Sequence, residues 1–146
     1  MAAPSTPAPG SAAAERGARL AAPRLAREVA TMAAMLRLYC HDHHGRAAAV
    51  PGLCPDCAEL QDYARKRLAL CVYGPDKPTC VNCPIHCYGR RQREAMREVM
   101  RYAGPRMLWR HPVLAMAHLI DGRRPAPPRP AVNTDPPGPG GAVPPV

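Results

Sequence analysis

Seven cysteines stand between residues 40 and 87 of this 146-residue chain, and their spacing is its first feature with chemical content. In order they read Cys40, x13, Cys54-x2-Cys57, x13, Cys71, x8, Cys80-x2-Cys83, x3, Cys87. Two residues between a pair of thiols let both sulfurs face one ion while nearby backbone N–H groups bond to them, so two separate C-x2-C pairs point to metal ligation. An odd count also argues against a full disulfide framework. Two groupings are open. Cys54, Cys57, Cys80 and Cys83 together would make a closed four-thiolate zinc site. Cys80, Cys83 and Cys87 with the more distant Cys71 would suit an iron–sulfur cluster, although the spacing differs from the ferredoxin run.

Six histidines accompany the thiols. Cys40 and His44 share a helix face at a step of four and could bind a metal. The reading adopted for His41, His43 and His44 is that they are solvated imidazoles near the negative end of a helix. His86 sits between Cys83 and Cys87 as a ligand, a supporting donor or an exposed side chain, and His118 reads as a core residue. A Cys83–His86 nucleophile would need an orienting group and a shaped pocket, neither of which the sequence displays, so an enzyme is the less favoured class. Thiols beside Arg90, Arg91 and Arg93 are expected to have lowered pKa values and to be open to oxidation or nitrosylation.

These residues need elements to position them. Leu25, Val29, Met32, Leu36 and Tyr39 recur at steps of three and four, predicting a helix from Arg24 to His44 that Gly45 ends. Pro55 and Asp56 fit the first turn of a second helix with Leu60, Ala64, Leu68 and Cys71 inward. Residues 72–89 carry no periodicity and read as a loop fixed by something other than apolar packing. A third helix follows Gly89, with Met96, Val99, Met100 and Ala103 on one face, and Gly104-Pro105 is expected to stop it. A last helix from Pro112 to about Ile120 is apolar nearly all round and reads as the buried one. The predicted fold class is small all-α, about four helices around a Cys-rich metal-binding loop.

Proline marks the limits. Residues 122–146 hold nine of the 20 Pro, and the flanks mix Ala, Pro, Gly and Arg without periodicity. Disordered tails are therefore expected at 1–23 and 123–146, around a Cys-rich helical domain at 24–122. The net charge is +9, with 18 Arg against 2 Lys, which favours polyanionic partners without naming one. Arg93, Arg97 and Arg101 recur at steps of four and are candidate nucleic-acid contacts; the competing reading is a solvated face in which Glu94 pairs with Arg97 and Glu98 with Arg101. No basic start followed by an apolar stretch opens the sequence, and no run approaches the roughly 18 apolar residues of a membrane span. A cytoplasmic protein without a membrane partner is expected, its thiols reduced or metal-bound.

Four strings occur together and in order: Leu38-Tyr39-Cys40; Leu53-Cys54-x2-Cys57-x2-Leu60-x2-Tyr63-Ala64; Lys77-Pro78-Thr79-Cys80-x2-Cys83-Pro84-x-His86-Cys87-Tyr88; and Val99-Met100-Arg101-Tyr102-x-Gly104-Pro105-Arg106-Met107-Leu108. Over about residues 24–122 the chain thus resembles the nitrous oxide-stimulated promoter family, the YgbA type. The resemblance implies a cytoplasmic bacterial protein made under nitric oxide or nitrosative stress. It also implies that Cys54, Cys57, Cys71, Cys80, Cys83 and Cys87, with Cys40, form a metal-binding functional centre. Zinc and an iron–sulfur cluster both remain open, since nitric oxide attacks either.

Overall fold

The computed structural model describes residues 10–45, 52–80, 82–85 and 87–128. Expectations for residues 1–9 and 129–146, and for His86, fall outside the described residues. Among them the chain is all-α: α1 (Ala12–Ala21), α2 (Pro23–His44), α3 (Pro55–Ala69), a 3-10 turn (Gly74–Asp76), α4 (Arg90–Arg110) and α5 (Pro112–Gly122), with no strand.

Local chemistry starts and stops these helices close to the expected points. Pro23, Pro55 and Pro112 occupy first turns, where an N–H would go unpaired. Gly45 ends α2 at φ +55°, a backbone conformation that L side chains rarely adopt. The expected N-terminal tail is in part helical, because Ser11 caps α1 by accepting the Ala14 N–H at 3.2 Å.

Helix α2 packs against all four other helices. Its Ala34, Met35 and Leu36 meet Ala64 of α3, Met96, Val99, Ala103 and Met107 of α4, and Ala115 of α5 in one buried cluster. A buried ion network closes the other end of α2. Arg24 Nη1 lies 2.7 Å from Glu28 Oε1 and 3.3 Å from Asp121 Oδ2, while Arg24 Nη2 donates to the Lys77 carbonyl.

Three expectations fail. Helix α4 does not stop at Gly104-Pro105 but runs to Arg110. Proline removes one helix bond and crowds the preceding turn. The Arg106 guanidinium donates to the Tyr102 carbonyl at 2.8 Å and stacks 3.7 Å from the Tyr102 ring centroid, and Met107 is buried in the core, so packing carries the helix past the proline. Nor is α5 the buried helix. It turns small Ala115 and the ion-paired Asp121 inward, leaving Val113, Met116, Leu119 and Ile120 exposed beside Trp109. His118, read as a core residue, is partly exposed, with Nδ1 4.0 Å from Glu28 Oε1.

Candidate metal centre

The last turn of α2 places Cys40 and His44 one turn apart on one face. Cys40 is fully buried. After Gly45 the chain returns so that Cys54 becomes the N-cap of α3, its sulfur accepting the Cys57 N–H at 3.5 Å in the role that a serine hydroxyl or aspartate usually fills. The Cys54 N–H in turn donates to Cys40 Sγ at 3.1 Å. His44 Nδ1 faces both knuckle sulfurs, 3.2 Å from Cys54 and 3.4 Å from Cys57.

The four donor atoms of Cys40, His44, Cys54 and Cys57 all lie within 4.8 Å of one another. A tetrahedral ion with bonds of about 2.3 Å to sulfur and about 2.0 Å to nitrogen separates its donors by roughly 3.5–3.8 Å. The cluster could therefore hold one metal ion after small side-chain shifts. Its electrostatics suit that role. Burial raises the Cys54 thiol, but N–H bonds from Cys57 and Asp56 and the neighbouring thiols outweigh it, leaving the pKa below the ordinary value. Cys57 is pushed the other way, first by burial and then by Cys54 and Cys40.

Aromatic side chains brace this end of α2 against α4. The Tyr39 ring stacks on His43 at 4.2 Å and meets His44 edge-on at 5.7 Å, and its hydroxyl donates to Glu98 Oε1 at 2.8 Å. Burial first, then Glu98, pushes the Tyr39 pKa up to about 12. Tyr102 donates to Asp42, whose carboxyl is held below the usual range by His41 and by Tyr102. A cleft of about 260 Å³ opens beside the donors, lined by Tyr39, His44, Cys57, Tyr63, Arg91 and Glu98 among others.

The chain matches the nitrous oxide-stimulated promoter family over residues 23–131. It belongs to that family. Over 104 residues it is 48% identical to the uncharacterized protein YgbA of Escherichia coli (strain K12), an alignment covering 71% of this chain and 86% of that protein. No solved structure matches.

Within this member of the nitrous oxide-stimulated promoter family the donors that converge are not the Cys54, Cys57, Cys80 and Cys83 set read in the sequence. Cys54 and Cys57 join Cys40 and His44, not Cys80 and Cys83. Helix α3 separates that knuckle from Cys71: its 15 residues at about 1.5 Å each put roughly 20 Å between its start and Cys71 beyond its end. His44, read as a solvated imidazole, turns its ring nitrogen onto two sulfurs; the step of four from Cys40 was the signal that could have promoted it. Cys71 and Cys83 are half-buried, and Cys80 and Cys87 exposed, in the loop between α3 and α4; all seven thiols are free. The expected lowering of thiol pKa near Arg90, Arg91 and Arg93 is not found at Cys80 or Cys87. Crowding by protein atoms, led by desolvation, raises both.

The arginine face of α4 is arranged otherwise than expected. Glu94 pairs with Arg90 at 3.5 Å and Glu98 accepts from Tyr39, so neither neutralises Arg97 or Arg101. Both arginines are exposed, Arg93 is half-buried, and none of the three makes an ion pair among the described residues. No helix of the described residues is long and apolar enough to cross a membrane.

Proposed function

We propose that this protein is a metal–thiolate protein of the bacterial cytoplasm that binds zinc at Cys40, His44, Cys54 and Cys57 and acts in the response to nitric oxide and nitrosative stress. The observation that carries the reading is convergence of four donors from two helix ends, three of them buried, onto one point. Four protein donors leave no open position for substrate, which is the pattern of structural zinc rather than of a hydrolytic site. Membership of the nitrous oxide-stimulated promoter family supplies the context.

The same sulfurs are the groups that nitrosating agents modify. Transfer of a nitroso group from an S-nitrosothiol to a Cys54 thiolate, with release of the donor's thiolate, would remove one ligand charge and weaken the centre. The test is metal analysis of the purified chain, followed by S-nitrosoglutathione challenge with a zinc indicator. One zinc per chain, released on challenge and absent from Cys54→Ser, is expected. A wild-type chain without zinc, or zinc retained by Cys54→Ser, would overturn the assignment.

A second reading, a zinc-stabilised nucleic-acid-binding module, is supported by Arg97 and Arg101, exposed on α4 without acidic partners among the described residues. Affinity for duplex or single-stranded nucleic acid should then fall steeply with salt, and Arg97→Ala with Arg101→Ala should flatten that slope. Absence of binding at low salt would end this reading.

A further inference from the structure

Helix α5 is turned the wrong way round for a helix covered by its own chain alone. From His111 to Ile120 the sequence has no Lys, Arg, Asp or Glu, and a helix apolar on all sides is ordinarily buried on all sides. Its inward residues are nonetheless small or polar: Ala115 packs into the core and Asp121 pairs with Arg24. The large side chains face out. Val113, Met116 and Ile120 follow at steps of three and four and so share one face, with Leu119 beside them.

Leu108 and Trp109 close α4 immediately before this helix. Trp109, the chain's one tryptophan, is 89% exposed and Val113 81%, while Leu108, Met116, Leu119 and Ile120 are each exposed by about half. Among the described residues only Leu70 and Val72 join them as exposed large apolar side chains, so the exposure is concentrated here.

Size and composition identify the occupant. A fully exposed residue of this class offers about 150–250 Å², so the six leave roughly 700 Å² open on one copy. That exceeds the largest apolar patch of a typical monomer, about 300–600 Å². Two copies joined on this face would bury roughly 1,400 Å² together, inside the range of about 1,200–2,000 Å² of stable, specific interfaces. The face also has the makeup of a homodimer interface: apolar at its centre, supplied with Trp and Met, and free of charge. Its arginines stand only at the two ends, Arg110 before α5 and Arg123 and Arg124 after it. His118 turns away, toward Glu28 at 4.0 Å. Nothing in the centre selects a partner by charge, and the same apolar face on a second copy complements it.

We propose that the outer face of α5, with Leu108 and Trp109, is the contact surface of a twofold homodimer in which α5 of one copy lies against α5 of the other. The second copy supplies the layer that the domain lacks on that side, and α5 becomes buried on both faces. Whichever way the two helices run, ends bearing arginine meet ends bearing arginine, so like charges oppose the association and salt tightens it. The surface shares no residue with the Cys40, His44, Cys54 and Cys57 donors, and the dimer forms with or without zinc.

The test is sedimentation equilibrium of the full chain over a range of concentrations, in reductant and chelator, with Trp109 fluorescence read in parallel. Wild type should pass from monomer to dimer with a Kd in the micromolar range or below, and the Trp109 emission should move to shorter wavelength over the same concentrations as the indole leaves water. Raising salt from about 0.1 M to about 1 M should tighten the dimer. Val113→Glu and Met116→Glu, both at exposed positions, should each weaken it more than about tenfold with helical circular dichroism unchanged, because each would bury an unpaired charge. A chain that stays monomeric, a dimer that keeps its affinity in Met116→Glu, a dimer that salt dissociates, or a dimer whose Trp109 emission does not move would overturn the proposal. So would a monomer whose emission is already at short wavelength, which would mean that the face is covered within one chain, or a shift seen only on adding anionic phospholipid vesicles, which would give the surface to a membrane.

Discussion

Cys40→Ala separates packing from ligation at the first centre. The side chain is fully buried, and its sulfur accepts the Cys54 N–H at 3.1 Å. Without metal, the substitution leaves a buried donor unpaired, costing about 1–3 kcal/mol, and adds the loss of one buried sulfur, about 1 kcal/mol, for a total near 2–4 kcal/mol. With metal the loss should be larger. At free zinc of about one hundred times the wild-type Kd, linkage stabilises the wild-type fold by about 2.7 kcal/mol. If removing a ligand weakens binding about one hundredfold, the same zinc stabilises the variant by only about 0.4 kcal/mol. The assay is urea denaturation followed by circular dichroism, in chelator and in buffered zinc, for both proteins. A variant that keeps the full zinc-dependent gain would show that Cys40 is not a ligand. A loss below about 0.5 kcal/mol in chelator would refute the packing argument.

Other perturbations reach the rest of the molecule. Arg24→Met removes the buried partner of Asp121, but Arg27 at 3.8 Å and Arg124 at 3.8 Å remain, so the loss should be about 2–3 kcal/mol and not the full 3–5 of an orphaned buried charge; thermal denaturation checks it. Tyr73→Phe removes a buried hydroxyl that has no hydrogen-bond partner among the described residues, so stability should hold or rise by up to about 1 kcal/mol, and a fall of that size would contradict the environment seen here. Metal-free protein should lose stability above about pH 8.5, because Cys57, Cys80 and Cys87 have raised folded-state pKa values and the unfolded chain deprotonates first; Cys54, lowered, works the other way. On the zinc reading proposed above, the metal takes the place of the Cys57 proton, and denaturation between pH 7.5 and 9.5 should show a shallower decline in zinc than in chelator.

The helices were legible because their signals are local. Apolar steps of three and four, prolines in first turns and Gly45 place α2, α3 and the start of α4 without any knowledge of tertiary contacts. Helix α4 beyond Pro105 was not legible, since a side chain stacked on Tyr102 and a methionine in the core decide that outcome, and both depend on the fold. The exposed face of α5 misleads for a related reason: an apolar helix in a small protein has too little chain around it to be covered. In the site, C-x2-C announced ligands but not their partners. Partner choice is a matter of distance, and the side chains that reach the first knuckle are Cys40 and His44 at the end of α2.

Chemically identical thiols are set up differently on either side of α3. Cys54 and Cys57 stand where α3 presents unpaired N–H groups and the positive end of its dipole, conditions that favour thiolate, and Cys54 is indeed lowered despite its burial. Cys71 follows the opposite end, where Arg19 of α1 donates to its carbonyl at 2.6 Å. In the loop beyond it Lys77 is held by the Pro78 carbonyl and approaches Cys80 Sγ at 3.7 Å. The cation does not outweigh desolvation at Cys80 and Cys87, whose thiols remain raised. Desolvation thus wins at Cys80 and Cys87, whereas at Cys54 the N–H groups at the start of α3 win.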